Sequence, residues 1–111
     1  MPRTSTAVAP PRWSAQDLPD LTGRTVIVTG STSGIGLVTA RELAAHGAAT
    51  TLAVRDTARG EQTRAMIERA HPGARVDVGA LDLADLSSVR AFARDWAVRH
   101  PDGLDILINN A

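Results

Sequence analysis

Short apolar runs alternate with longer segments of helical periodicity along most of the chain. The pattern predicts strands at 25–28, 49–54, 75–81 and 104–108, and helices at about 34–46, at 57–70 and after Asp85. Continuous apolar runs are typical of strands that are buried on both faces. Strands that alternate with helices predict a parallel sheet with right-handed crossovers. We therefore expect a doubly wound α/β fold of four strands and three main helices, in the spatial order 3-2-1-4.

Each predicted helix carries an apolar face at helical spacing, which indicates the side that it buries. In the first helix this face consists of mostly small residues that permit close contact with a sheet: Gly36, Ala40, Leu43, Ala44 and Gly47. In the second helix it includes Met66, Ile67 and Ala70. In the third it comprises Leu86, Val89, Ala93, Trp96 and Ala97, with Phe92 at the margin.

Composition narrows the class of protein. The chain has 111 residues, of which 43% are hydrophobic, and this suits a single domain. Its 12 acidic and 12 basic residues balance, so nothing indicates a nucleic-acid surface or a polybasic membrane patch. No apolar run approaches the roughly 20 residues that span a bilayer. There is no cysteine, which excludes disulfides and thiolate chemistry, and we expect a cytoplasmic protein.

The first residues differ from the rest. The segment 1–20 is rich in Pro, Ser, Thr and Ala near its start and lacks the apolar core of a secretory signal. It is short for an organelle transit peptide, although it carries Arg and Ser. We expect a flexible arm over 1–20, with Trp13 packed against a domain that spans 21–111.

A glycine-rich turn lies between the first strand and the first helix, in the segment 29–36 (TGSTSGIG). Gly30 suits a tight turn, Gly34 lets a ligand approach the backbone, and Gly36 lets the helix lie close to the sheet. The unpaired N–H groups and the dipole of the helix N-terminus favour an anion. The turn therefore predicts a site for a dinucleotide pyrophosphate. A purely structural strand-to-helix turn is the alternative.

Four motifs in order resemble the classical short-chain dehydrogenase/reductase family over about residues 23–111. The segment 29–36 fits its T-G-x-x-x-G-I-G turn. Val54-Arg55-Asp56 ends the second strand, Asp82-Leu83 follows the third, and Asn109-Asn110-Ala111 matches the start of N-N-A-G. Residues 54–60 are similar to retinol-dehydrogenase-like members. The resemblance implies the N-terminal part of a Rossmann fold.

Arg55 bears on the choice of cofactor. In NAD-selective sites an acid at the end of the second strand binds the ribose 2′-OH, and Val54 cannot do so. A guanidinium at Arg55 suits the 2′-phosphate of NADP, so we expect NADP rather than NAD. Asp56 is a complication, because it could take the acidic role or pair with Arg55. A solvated surface arginine is the other interpretation.

The resemblance implies further cofactor contacts. Asp82 and Leu83 would hold the adenine, although Asp82 could instead cap or bond its loop. Asn109 would border the adenosine or tie the central strands together, and Ser33 would contact the cofactor or cap the helix. The complete set of expected cofactor-binding residues is Gly30, Ser31, Ser33, Gly34, Ile35, Gly36, Arg55, Asp82, Leu83, Asn109 and Ala111.

The catalytic residues that the resemblance implies are missing from the chain. The family uses a tyrosine as acid/base with a lysine four residues later, because a phenol must be brought toward neutrality by a cation. The chain has no tyrosine, and all 12 basic residues are arginines. His46, His71 and His100 lie near predicted helix ends, and we expect surface residues without metal-ligand spacing there. No catalytic or metal-binding residue is therefore predicted.

The simplest interpretation is a cofactor-binding fragment of an NADP-dependent oxidoreductase that acts on an alcohol or carbonyl substrate. Such a fragment should be inactive alone and should fold poorly. Complete members of the family are often homo-oligomers. The alternative is a small non-catalytic nucleotide-binding or regulatory module. A reading frame that continues past codon 111 into a Tyr-x-x-x-Lys would favour the fragment.

Overall fold

The computed structural model describes residues 18–110. Most of the predicted arm, with Trp13, lies outside the described residues, and so does Ala111. The elements in chain order are β1 (Thr25–Thr29), α1 (Gly34–Ala45), β2 (Ala49–Val54), α2 (Thr57–Ala70), β3 (Arg75–Ala80), α3 (Leu86–Arg99) and β4 (Ile106–Ile108).

The strands form one parallel sheet in the order β3-β2-β1-β4, which confirms the predicted topology. Strand β1 is central and pairs Val28 with Leu52 of β2 and with Ile108 of β4. Strand β4 begins at Ile106 and not at Leu104, because Asp105 instead bonds the start of β1. The carboxyl ends of β1, β2 and β3 share one edge of the sheet.

Two apolar clusters cover the two faces of the sheet. Side chains alternate along a strand, so Val26 and Val28 enter one cluster with α1 and α2, while Ile27 enters the other with α3. The small-residue stripe of α1 is confirmed for Gly36, Ala40, Leu43 and Ala44, which are all buried, whereas Gly47 lies beyond the end of the helix and is only half-buried. This close packing fixes the position of the α1 N-terminus relative to the end of β1.

The predicted buried face of α2 is partly wrong. Met66 is 41% exposed and Ala70 is exposed, whereas Gly60, Thr63 and Ile67 are buried. The cause is a close approach at Gly60, where an added Cβ would meet Val54 and Val78. This contact turns the stripe at i, i+3 and i+7 towards the sheet and leaves Met66 at the margin.

The predicted stripe of α3 is also only partly buried. Trp96 is its one buried residue, with Val89 and Phe92 packed partly against the same cluster. Leu86 is 63% exposed, and Ala93 and Ala97 are exposed too. The contact between α3 and the sheet is fixed by Trp96, whose Nε1 donates a hydrogen bond to Thr51 Oγ1 of β2 at 3.0 Å. A buried indole N–H needs such a partner.

All three histidines lie at the C-caps of helices, as the sequence indicates: His46 for α1, His71 for α2 and His100 for α3. The expectation that His100 is a surface residue is wrong. Its side chain is 15% exposed, and its ring stacks on Trp96 with a centroid distance of 4.4 Å.

Asp105 ties the amino ends of β1 and β4 together. Its Oδ2 accepts the Thr25 N–H at 2.9 Å, and its own N–H donates to Thr25 O at 3.1 Å. The Thr25 N–H holds the pKa of the Asp105 carboxyl below its ordinary value of 3.8. A carboxyl whose pKa is lowered by folding stabilises the fold above its ordinary pKa and loses that contribution as the pH falls.

We therefore expect Asp105→Ala to unfold at lower urea concentration than the parent chain at neutral pH, with the difference shrinking as the pH falls below about 4. Urea unfolding curves recorded over this pH range measure the effect. Asp102→Ala is the matched control, because this neighbouring carboxyl shows no hydrogen bond within the described residues. A constant difference at every pH would contradict the role of the carboxylate charge.

Candidate cofactor site

The glycine turn has the backbone that its sequence predicts. Strand β1 ends at Thr29, and Gly30 and Gly34 take φ values of +60° and +59°. Residues with a Cβ rarely adopt these values, so glycine is strongly favoured at both positions. Nothing lies within 4 Å of a Cβ placed on Gly34, which leaves this side of the turn open to a ligand.

Gly36 allows α1 to lie directly on the turn. A Cβ at this position would collide with the backbone oxygen of Gly30 and with the side-chain nitrogen of Asn110. The same Asn110 nitrogen donates to Gly30 O at 3.1 Å. The turn, the first turn of α1 and the end of β4 are therefore held together at Gly36.

The N-terminus of α1 differs from those of the other two helices. Ser33 occupies its N-cap, but its side chain makes no capping hydrogen bond, so the interpretation of Ser33 as a side-chain cap is wrong. The first turn has no acidic residue, as in the other two helices, so no side chain of α1 itself offers a negative charge there. In contrast, Asp56 caps α2 through the Arg59 N–H, and Asp85 caps α3 through the N–H groups of Ser87 and Ser88. The positive end of the α1 dipole thus lacks an anionic side chain of its own helix.

Hydrogen bonds to Asp85 also have an electrostatic consequence. The hydroxyl and N–H of Ser87, with the N–H of Ser88, hold the pKa of the Asp85 carboxyl below its ordinary value. Ser88 Oγ accepts the Asp82 N–H at 2.9 Å. The start of α3 thereby fixes the backbone of the loop that carries Asp82.

Ser31 is completely buried, and its Oγ has no hydrogen-bond partner among the residues that the structure describes. A buried hydroxyl without a partner costs free energy. It therefore offers an unused hydrogen-bonding group within the turn.

Thr29 joins the end of β1 to the end of β4. Its Oγ1 accepts the Asn110 N–H at 2.9 Å and lies 3.2 Å from Asn109 Oδ1, to which it can donate. This network agrees with the structural interpretation of Asn109. It also assigns Asn110 a role that the sequence reasoning missed, although the repeated asparagine was a signal.

A cleft of about 550 Å³ lies at the carboxyl edge of the sheet. It brings together Gly30, Arg55, Asp82 and Leu83, which are four of the residues expected to bind the cofactor. Thr32 and Arg59 also line it, and Arg59 was missed. Arg59 follows Arg55 by four residues, across the start of α2. Because Arg55 lies before the helix, the i, i+4 geometry of a helix does not apply to this pair, and no sequence signal placed a second cation at the cleft.

The two carboxylates of the cleft already bond the backbone. Asp56 Oδ1 accepts the Arg59 N–H at 3.1 Å, and Asp82 Oδ1 accepts the Ala84 N–H at 3.0 Å. No ion pair joins Arg55 to Asp56 within residues 18–110. Asp82 therefore bonds its own loop, which was the alternative expected from the sequence. The Arg55 guanidinium lies exposed beside the cleft.

Other predicted site residues lie apart from this cleft. Ser33, Gly34 and Ile35 are exposed at the start of α1, with Ile35 exposed to 76%. Asn109 lines a second, mainly apolar cleft of about 330 Å³ together with Trp96 and Leu107. Thr29, Leu81 and Leu83 line both clefts, so the two are neighbours.

A parallel sheet in this order, with a glycine turn leading into an open helix N-terminus, defines a dinucleotide-binding protein of the doubly wound class. The family model described as short chain dehydrogenase matches residues 24–111. The chain therefore belongs to the short-chain dehydrogenase/reductase family of oxidoreductases, whose members bind NAD(P).

Similar proteins agree with this assignment. Dehydrogenase/reductase SDR family member 13 of Bos taurus is 48% identical over 103 residues, which are 93% of this chain and 26% of the relative. Retinol dehydrogenase 11 of Mus musculus is 45% identical and is matched over 82% of this chain and 28% of its own length. A metagenomic short-chain oxidoreductase solved in complex with NADP superposes with a TM-score of 0.76 at 34% identity, over 83% of this chain and 40% of its own.

The chain thus spans about a quarter of the length of these two curated relatives. Within residues 18–110, none of the helices has the length and apolar character needed to cross a membrane.

Proposed function

We propose that the chain supplies the adenosine- and pyrophosphate-binding portion of an NADP-dependent oxidoreductase that acts on an alcohol or carbonyl group. The observation that carries the proposal is the α1 N-terminus, which lacks a side-chain cap and lies next to a cleft with two arginines. A helix N-terminus attracts a phosphate through its N–H groups and its dipole.

The residues present fit the pyrophosphate. Glycine at position 36 brings the first turn of α1 onto the end of β1, and the open space at Gly34 admits a phosphate oxygen. The unpartnered Ser31 hydroxyl supplies a further hydrogen-bonding group in the same turn. Gly30, Ser31, Ser33, Gly34, Ile35 and Gly36 would hold this part of the cofactor.

The residues of the neighbouring cleft fit the adenosine. Arg55 and Arg59 place two cations at the end of β2, where a ribose 2′-phosphate would lie, and this favours NADP over NAD. Asp82 and Leu83 border the same cleft and would contact the adenine. The NADP complex of the metagenomic relative supports this choice. Asn109 and Ala111 would border the cofactor further along.

When bound, the nicotinamide of NADP would carry the hydride that is transferred to or from the substrate. The part of the chain that the structure describes contributes binding and orientation. Its α1 N-terminus would hold the phosphates, and the cleft at the ends of β2 and β3 would hold the adenosine, which would orient the cofactor relative to the sheet. Residues that exchange the substrate proton would come from other parts of the complete enzyme.

Two pairs of ligands test the cofactor preference, because each pair differs only in the 2′-phosphate. We expect this chain to bind NADP more tightly than NAD, and 2′-phospho-ADP more tightly than ADP, by about ten- to a hundredfold in each pair. Isothermal titration calorimetry gives the dissociation constants. Equal affinities within each pair would contradict the NADP preference, and absence of binding by all four would contradict the site itself.

The oxidoreductase part of the proposal has a separate test. The reading frame that encodes this chain is expected to continue past codon 111 into a segment with Tyr-x-x-x-Lys. A stop codon with no such segment behind it would instead favour a non-catalytic nucleotide-binding module.

A further inference from the structure

The loop 81–85 joins the end of β3 to the start of α3 and borders the candidate cofactor cleft. Its first residue continues the sheet, since the Leu81 N–H donates to Val54 O at 2.8 Å. Asp82 and Leu83 follow at the cleft itself. The conformation of this loop therefore decides where the Asp82 carboxylate lies in the cleft.

Asp82 is held by hydrogen bonds from several of its polar groups. Its N–H donates to Ser88 Oγ at 2.9 Å, its carbonyl oxygen accepts the Asp85 N–H at 3.0 Å, and its Oδ1 accepts the Ala84 N–H at 3.0 Å. The first of these bonds reaches past the loop, to a side chain in the first turn of α3. The Ser88 hydroxyl is therefore the contact that fixes Asp82 relative to the helix.

Ser88 in turn has a fixed position on the sheet. Its N–H donates to the Asp85 carboxylate at 3.4 Å. One turn further along α3, Phe92 packs on β3 so closely that a Cβ at Gly79 would collide with its ring. Phe92 also packs against the cluster that contains Leu81, the first residue of the loop. The first turn of α3 therefore holds the loop from a rigid support.

The same loop offers unpaired groups to a ligand. The second carboxylate oxygen of Asp82 and the N–H of Leu83 have no hydrogen-bond partner within residues 18–110. One group is an acceptor and the other is a donor, and both residues line the cleft. The edge of adenine is complementary, because its exocyclic amine donates and its ring nitrogen N1 accepts. Hypoxanthine reverses this pattern, because its carbonyl accepts and its N1–H donates.

We propose that Ser88 is a positioning residue that makes the cofactor site selective for adenine. The inference rests on the proposed function, in which Asp82 and Leu83 contact the adenine. The Ser88 hydroxyl holds the Asp82 backbone, and this aligns the free carboxylate oxygen and the Leu83 N–H with the edge of one base. Loss of the hydroxyl leaves the Asp82 N–H without its partner, so the loop relaxes and the alignment is lost.

The test compares NADP with nicotinamide hypoxanthine dinucleotide phosphate, which differs from it only at the edge of the base. We expect the parent chain to bind NADP about tenfold more tightly than the analogue, and Ser88→Ala to reduce this ratio to about threefold or less. The change should come from weaker NADP binding, because the analogue gains nothing from the aligned pair. Isothermal titration calorimetry gives the dissociation constants.

Two control variants separate positioning from a general loss of structure. Ser87→Ala removes the neighbouring hydroxyl, which donates to Asp85 Oδ1 at 2.7 Å, and it leaves the bond between Ser88 and Asp82 in place. Its ratio should equal that of the parent. Ser88→Thr keeps a hydroxyl at the same position, so it should keep the preference for NADP. Loss of the preference in Ser87→Ala, or in Ser88→Thr, would contradict a specific role of the Ser88 hydroxyl.

Hydrogen exchange tests the contact without a ligand. In Ser88→Ala the Asp82 N–H should exchange severalfold faster than in the parent, and in Ser87→Ala it should exchange at the parental rate. An unchanged rate in Ser88→Ala would mean that the hydroxyl does not hold the loop.

The binding results also distinguish this inference from the proposed function. A parent chain that binds neither nucleotide would overturn the cofactor site and the role of Ser88 together. A parent that binds NADP and the analogue equally would leave the cofactor site intact and overturn the recognition of the base. A preference as strong in Ser88→Ala as in the parent would overturn the role of Ser88 alone.

Discussion

Gly36→Ala is expected to destabilise the chain by about 1–3 kcal/mol, although alanine is the better helix former. The new Cβ would collide with the Gly30 carbonyl and the Asn110 side chain. The carbonyl belongs to the backbone of a tight turn, so it cannot move away without displacing the turn or the helix. Chemical denaturation of the parent and the variant measures the loss.

Gly34→Ala separates close packing from backbone conformation. This glycine lies in the same turn and has a positive φ, but nothing is within 4 Å of its Cβ position. We expect a cost of about 1 kcal/mol, from the left-handed conformation alone. A Gly36→Ala variant as stable as the parent would show that the α1 N-terminus does not rest on the turn, and the proposed phosphate geometry would fail with it.

The strands and the glycine turn could be predicted because each depends on local sequence. Buried parallel strands have nearly continuous apolar runs, and β1 and β2 show this pattern. Gly30 and Gly34 mark backbone conformations that few other residues adopt. The order of the strands then follows from the general handedness of the crossovers and the resemblance to a known family.

The helix faces could be predicted less well, because periodicity identifies an apolar stripe but not what lies opposite it. In α3, Trp96 is covered by the sheet while Leu86 and Ala97 of the same stripe are exposed. In α2, the contact at Gly60 decides which side is buried, and glycine adds nothing to an apolar pattern. The packing of each helix against the sheet therefore decides which of its residues are buried.

The candidate site, too, could be predicted only where it does not depend on how the elements pack against each other. Arg55, Asp82 and Gly30 could be placed at one edge, because the ends of parallel strands meet there. Arg59 could not be placed at this edge from the sequence, because it lies within the predicted α2. Its side chain reaches the cleft only because of the direction in which that helix starts. The absence of a Ser33 cap bond depends on a side-chain rotamer, which sequence pattern does not fix.

Arg55→Ala, made in a complete enzyme that carries this segment, is expected to weaken NADP binding by about ten- to a hundredfold and to change NAD binding by less than about threefold. The guanidinium is exposed at the cleft and has no ion-pair partner within residues 18–110, so its charge is available to a 2′-phosphate. Dissociation constants for both cofactors, measured at two salt concentrations, give the effect. The loss for NADP should be smaller at high salt, because screening weakens the contact.

Two further variants show whether the effect belongs to this position. Arg90→Ala removes an exposed arginine from α3 without altering the cleft, and it should leave both affinities unchanged. Arg59→Ala should also weaken NADP selectively, because its side chain lines the same cleft. Equal losses for NADP and NAD in Arg55→Ala would mean that the arginine supports the fold of the cleft and does not bind the 2′-phosphate. Since Asp56 caps α2 independently of Arg55, the fold of this segment should survive the change, and only the recognition of the extra phosphate should be lost.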